Sequence, residues 1–243
     1  MRISRVFLAD PLVVGETVDL DKSRSHYLTH VLRLVSGAEL ILFNGQDGLD
    51  YNARLTGKGK QLQADILDAK PVATESTLSS HIIQGLGRSD HMDIMIQKTT
   101  ELGVNRITLF NAARTQSRLK PSQLEKKRQH WKAVAISACE QCGRSRIPAI
   151  EFHPGLDQAI QADLAEQKYL LEFNATPFAS QLTKKRGSVS VLLGPEGGLN
   201  PQEIEIAVSQ SYEKASLGPR TLRTETAAIS AMVLIQAKVG DLI

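Results

Sequence analysis

"VSVLLGPEGGLNPQEIEIA", residues 189–207, changes character twice within one short stretch. Residues 189–193 are an apolar run that reads as a buried strand, and 200–210 has helical patterning. Between them Gly-Pro-Glu-Gly-Gly lets the backbone turn sharply and come close to a ligand. This is the grammar of a phosphate loop, yet no lysine stands where such a loop needs one.

Outward from this stretch, strands and helices alternate. "LSSHIIQGL" (78–86), "RITLFNA" (106–112), "KYLLEF" (168–173) and "YEKASLG" (212–218) read as further buried strands. Helices are expected over 91–103, over 121–143 with Pro121 in the first turn and Gly143 past the end, and over 224–240. Alternation of this kind predicts an α/β domain whose parallel sheet is covered on both faces. The first seventy residues differ: "RISRVFL", "ETVDL", "AELILFN", "LDYNARLTG" and "QLQADILDA" are short strands separated by turn residues, interrupted by one helical stretch over 22–34. A small β-barrel with one helix fits them, and the polar segment 70–77 reads as a linker. Domains are therefore expected over 1–72 and 73–243.

With 243 residues, 42% of them apolar, the chain can bury a substantial core. Its longest apolar stretch, near 227–237, is too short and too broken by Ser and Gln to span a bilayer, so a cytoplasmic location is expected. Net charge is only +3, but residues 114–146 carry nine basic groups against two acidic ones, the distribution expected of a polyanion footprint, with a solvated helix face as the plainer alternative.

Several chemistries lose support. Cys139 and Cys142 form C-x-x-C inside a helical pattern, without the strand–turn context of a redox motif or a second ligand pair for zinc, so packing is the better reading and no metal is expected. The six histidines lack metal-ligand spacing, no G-x-S-x-G supplies a nucleophile elbow, and "GLGRSD" (85–90) lacks the third glycine of a dinucleotide fingerprint. What remains is a second glycine loop, "SLGPRTLRTETAA" (216–228), again Leu-Gly-Pro after a strand. It continues into Arg223, Glu225 and Thr226 immediately before an apolar helix. Thr224 and Thr226 as helix caps would explain part of that set.

Together, "LGPEGGL" (193–199), "LGPRTLRTETA" (217–227), "QKTTELGV" (97–104) and "CEQCGRSR" (139–146) resemble the motifs of the RsmE family, the 16S ribosomal RNA uridine-N3 methyltransferases of the SPOUT superfamily. "RISRVF" and "HYLTHVLRL" (26–34) are similar to that family's N-terminal, PUA-like β-barrel, so the likeness covers the whole chain. The resemblance implies a SPOUT-type parallel sheet with a C-terminal trefoil knot, a homodimer, and S-adenosylmethionine bound against the knot loops. It places the cofactor on Leu171, Glu172, Leu193, Gly194, Glu196, Gly198, Leu217, Gly218, Leu222 and Arg223. A sulfonium cofactor has no phosphate, which accounts for the missing lysine.

The implied chemistry sets its own demands. Uridine N3 becomes a good nucleophile only when its proton leaves, and it must line up with the sulfonium methyl. Arg223 is the candidate cation for the developing charge on the uracil carbonyls. Glu225 either accepts the proton or orients Arg223; the second role fits better, because a carboxylate beside an arginine is a weak base. The RNA, 16S ribosomal RNA of the small subunit, would be gripped on its phosphates by Arg114, Arg118, Lys120, Lys126, Lys127 and Arg128, with Arg144 and Arg146 nearer the cofactor and Arg2, Arg5 and Arg33 on the barrel. Two rivals stand beside this reading: a non-catalytic RNA-binding assembly factor, and a nucleotide-using α/β enzyme, which the absent phosphate lysine disfavours.

Overall fold

The computed structural model describes residues 3–58, 61–183 and 187–242. The chain divides into two compact units, one of residues 1–75 with 139–147 and one of residues 76–138 with 148–243.

The first unit holds β1 (Ser4–Phe7), β2 (Thr17–Asp19), β3 (Glu39–Phe43), β4 (Leu49–Lys58) and β5 (Gln61–Pro71). They form one sheet in the order β1-β3-β4-β5-β2, parallel only at β1–β3. Among the described residues no pairing joins β1 to β2, so the expected barrel is seen as a five-stranded sheet. Leu40, Leu42, Leu55 and Ile66 alternate inward along their strands and pack with Leu28. The stretch expected as a single helix is two pieces: α1 (Lys22–His26), capped by Asp21 accepting from the Arg24 amide at 2.8 Å, and a π-helical turn over Tyr27–Val31. Nor is 70–77 simply a linker. Its first two residues continue β5, and Glu75 accepts hydrogen bonds from the amides of Ser145 (2.9 Å) and Arg146 (2.8 Å).

The second unit carries β6 (Ser79–Gly85), α2 (Ser89–Glu101), β7 (Arg106–Phe110), α3 (Pro121–Cys142), β8 (Ala149–His153), α4 (Leu156–Gln161), β9 (Gln167–Pro177), α5 (Phe178–Gln181), β10 (Ser188–Leu193), α6 (Pro201–Ser209), β11 (Glu213–Ser216) and α7 (Thr224–Lys238). The last residues of α3 belong to the first unit. Six strands pair in the order β11-β9-β10-β6-β7-β8, every pair parallel. Ile83, Phe110, Leu170 and Leu192 pack on one face with residues of α4 and α6. Their neighbours Ile82 and Val191 point the other way and are also fully buried, so both faces are covered.

β11 is the exception to the expected burial, because it is an edge strand with Glu213 and Lys214 exposed. The interior also holds a polar knot of side chains: Asp163 accepts from Ser190 Oγ (2.5 Å) and Tyr212 OH (2.6 Å) and faces His81 Nδ1 at 3.2 Å. Burial by itself would raise the Asp163 carboxyl, but these donors outweigh it and hold it far below the ordinary carboxylate range.

Candidate cofactor cleft

Successive strands leave β6 and β10 in opposite directions along the sheet, β6 leading to β7 and β10 leading by way of α6 to β11. A parallel sheet opens a crevice at the carboxyl ends of such a pair. The loops after β6 and β10 meet there at the closest backbone approach. A Cβ on Gly85 would lie 2.6 Å from Pro195 Cδ, and one on Gly194 would lie 2.8 Å from both Gly198 C and Leu199 N. Gln84 Nε2 donates to Gly194 O at 2.8 Å, and the Gly198 amide closes the turn on Pro195 O at 2.8 Å with Gly198 at φ +68°. Asn200 then starts α6 with a capping box: its Oδ1 accepts from the Glu203 amide, and Glu203 Oε2 accepts from the Asn200 amide.

β9 supplies the opposite wall through an irregularity. Its pairing with β11 runs Tyr169↔Glu213 and Leu170↔Lys214, then jumps to Thr176↔Ala215. The intervening residues leave the ladder, with Asn174 at φ +56°, and Leu171, Glu172 and Phe173 enter the cleft wall. The third wall is the loop after β11, where Gly218 takes φ +99° with open space around its Cβ position. α7 begins at its end, Arg223 occupying the N-cap position without a side-chain cap bond. Thr224 and Thr226 therefore do not cap this helix.

These walls enclose about 810 Å³, a volume in the range of small-molecule sites. Leu171, Glu172, Leu193, Gly194, Glu196, Gly198, Leu217, Gly218, Leu222 and Arg223 all line it. Glu225 does not. Its carboxylate is nearly buried and faces His91 Nδ1 at 3.6 Å, and among the described residues no ion pair joins it to Arg223. Glu225 thus makes no direct pairing with Arg223 and contacts α2 instead.

His91, Arg88 and Arg220 line the cleft without having been expected there. Arg88 and His91 lie in and just after "GLGRSD", the stretch read only for its glycines. Glu196 joins them: its Oε1 accepts from the Arg88 amide at 2.9 Å and lies 3.2 Å from His91 Nδ1. Burial pulls the Glu196 carboxyl upward, but this amide and His91 outweigh it and keep it below its ordinary value. A carboxylate only accepts, so the His91 proton facing it sits on Nδ1. Across the cleft, burial raises the Glu172 carboxyl despite Lys214 and Arg114.

The residues expected to grip RNA separate into groups. Arg2 lies outside the described residues. Arg5 is buried in the first unit, ion-paired to Asp50 and donating to Ser145 Oγ (2.7 Å) and Arg144 O (3.0 Å), so it is a structural group rather than a surface one. Arg144 is likewise inside, paired with Glu75 at 3.0 Å with its side chain 3% exposed. Arg146 is exposed but donates to the carbonyls of Gln46 and Asp47. Arg114 braces the cleft loop, donating to Gly197 O (3.1 Å) and Leu199 O (3.2 Å). Arg33, Arg118, Lys120, Lys126 and Arg128 are exposed, and Lys127 is half-buried, with its Nζ donating to Ser89 Oγ at 2.7 Å. Cys139 is packed, its thiol pushed up by burial to about 12, which leaves it protonated at neutral pH.

An all-parallel sheet with glycine loops converging at the carboxyl ends of its strands defines a ligand-binding α/β domain, and its sequence defines the class further. Residues 74–236 match the RNA methyltransferase domain, and residues 20–67 match the RNA methyltransferase PUA domain. The chain belongs to the ribosomal RNA small subunit methyltransferase E family. It is 34% identical to that protein from Buchnera aphidicola subsp. Schizaphis graminum, over 99% of this chain and 98% of the relative. With the Bacillus subtilis protein of the same name it shares 28% over 90% of this chain and 89% of the other. Among solved structures, a Legionella pneumophila methyltransferase in complex with S-adenosylmethionine superposes with a TM-score of 0.94 at 33% identity, covering all of both chains. The Neisseria gonorrhoeae ribosomal RNA small subunit methyltransferase E bound to S-adenosylmethionine gives 0.89 at 32%, again over all of both chains.

Proposed function

We propose that the chain methylates N3 of a uridine in 16S ribosomal RNA of the small subunit, using S-adenosylmethionine held in this cleft. The observation that carries the reading is the convergence on one cleft of the irregular part of β9, at Leu171 to Phe173, with the loops after β10 and β11. The donor set fits the cofactor. Leu171, Leu193, Leu217 and Leu222 offer apolar surface for the adenine, and the glycines of both loops place no side chain between it and the backbone. Glu172 and Glu196 are the carboxylates of the lining and can answer the sulfonium charge, beside Arg88, Arg114, Arg220 and Arg223 of the same lining.

When bound, S-adenosylmethionine supplies an electrophilic methyl group on a positively charged sulfur. Arg223, exposed at the rim, stabilises the negative charge that gathers on the uracil carbonyls as N3 loses its proton. Glu225 and Glu196 meet at His91 Nδ1, which pins the β10 loop and the start of α7 to α2 and so fixes where Arg223 projects. Glu225 lies outside the lining, so its part is this positioning of Arg223 through α2 rather than acceptance of the N3 proton.

The fuller reading includes a C-terminal trefoil knot, a homodimer, a PUA-like N-terminal domain that recognises RNA, and a cytoplasmic site of action. Among the described residues no helix is long and apolar enough to cross a membrane. The test is methyl transfer from tritiated cofactor to small-subunit particles. Arg223→Ala should lose transfer by about 10²–10³-fold, as removal of an oxyanion-stabilising donor does, while retaining a wild-type melting temperature. An Arg223→Ala enzyme with unimpaired transfer removes Arg223 from the mechanism. Small-subunit RNA that retains every N3-methyluridine after deletion of the gene removes the reading itself.

A further inference from the structure

Beside the cofactor cleft, α2 and α3 and the loop over 115–120 enclose a second, larger groove. Arg88 and Gln116 line both cavities, so the two lie side by side. The groove wall carries Arg88, Arg118, Lys120, Lys126, Lys127 and His130 against Asp90 and Asp93. Both acids are already answered locally: Asp93 by His130 Nε2 at 2.9 Å, and Asp90 by Arg88 Nε at 3.6 Å. Lys127 ties α3 to α2 through Ser89, and Arg118 Nη2 reaches Ala112 O at 3.4 Å. Lys120 and Lys126 are exposed, and no carboxylate in the wall answers them. Arg128 is exposed on the same helix but does not line the groove.

We propose that this groove is the track for the RNA strand flanking the target base, resting on the methyltransferase reading above. A base presented to the cofactor cleft must leave its stack, and the sugar–phosphate chain on at least one side of it must then run away from the cleft mouth. The groove is the charged exit that begins at Arg88 and Gln116. Its excess of cations over locally matched acids suits a phosphate chain. The cluster of positive charge along residues 114–146 thereby divides: part of it faces the groove, and part is internal to the first unit.

The experiment compares Lys120→Ala/Lys126→Ala with a charge-matched control, Lys132→Ala/Lys238→Ala, whose residues are exposed and line neither cavity. Binding of 16S ribosomal RNA fragments is measured from low to moderate salt. Removing two phosphate contacts should lower the slope of log affinity against log salt by about 1.4–1.8 and weaken binding roughly 15- to 30-fold at 0.15 M salt. The control should stay near wild type. Trp131, the only tryptophan of the chain, lines the groove, and its emission should change on RNA binding to the wild type and the control. Calorimetry with S-adenosylmethionine should be unchanged for both variants.

Equal losses in the two variants, or wild-type binding by the groove variant, overturn the proposal. Unchanged binding of naked RNA with lost methylation of assembled subunits overturns it in favour of a ribosomal protein contact. A wild-type chain that transfers no methyl group to RNA refutes the underlying reading instead.

Discussion

Gly194→Ala tests whether the first glycine loop is rigid. The new Cβ would stand 2.8 Å from two backbone atoms, Gly198 C and Leu199 N, well inside the 3.4 Å at which ordinary contact begins. Backbone cannot swing aside as a side-chain tip can, so the loop must open. Four ties resist that opening: Gln84 on Gly194 O, the Gly198 amide on Pro195 O, Arg114 on two carbonyls, and the Asn200 capping box. Overpacking of this kind costs about 1–3 kcal/mol. If the loop yields in the folded protein, the whole cost falls on ligand affinity, about 5- to 150-fold. Calorimetric titration with S-adenosylmethionine measures that share, and thermal unfolding without ligand measures the remainder. A variant that binds as tightly as wild type and melts at the same temperature would refute the argument. Gly218→Ala is the useful contrast, because there the added methyl meets open space and only the left-handed φ is costly, about 1–2 kcal/mol of stability with no overpacking.

Other outcomes follow from the interior. Asp163→Asn removes a buried charge that faces three polar side chains, and should cost about 3 kcal/mol at pH 7 by urea unfolding. Since the folded pKa of Asp163 is depressed, its contribution is fully present above the ordinary value of 3.8 and is lost below it. The gap between wild type and variant should therefore narrow only as pH falls below about 4, and a gap that narrows between pH 7 and 5 would contradict the assignment. Thiol titration at pH 8 should find Cys142 in the native protein and Cys139 only after denaturation, because burial holds the Cys139 thiol near 12. Rapid labelling of both thiols in the native protein would contradict this.

The loops were legible in the sequence because glycine and proline carry their backbone consequences locally. The apolar runs of β6 and β10 were legible because burial on both faces leaves no alternation to misread. β8 was missed because "AIEFH" is five residues with a mixed pattern, and α4 and α5 because a helix of one turn has no period to detect. The misplacement of Arg5 and Arg144 has one cause. Their partners, Asp50 and Glu75, stand far off in sequence, and counting charges along a chain cannot show which ones are already matched. His91 escaped for a related reason. A histidine between Asp90 and Met92 has no local signal, and its role comes from Glu196 and Glu225, which only the sheet's crossing connections bring near.

The order of strands has a consequence for synthesis. β6 pairs with β10, joining Ile82 to Val191, and β9 pairs with β11, so the central ladder closes only after the chain has been made as far as β10. Contacts this distant in sequence form slowly, since a long loop must be closed before any of them is rewarded. The cleft also needs Leu217 to Arg223, the last loop before the final helix. A nascent chain can thus assemble its N-terminal sheet while the ribosome is still extending it, yet it has no complete place for a cofactor until Leu217 to Arg223 have emerged. A chain cut after Ser216 would therefore keep the strands of both sheets and lack one wall of its cleft.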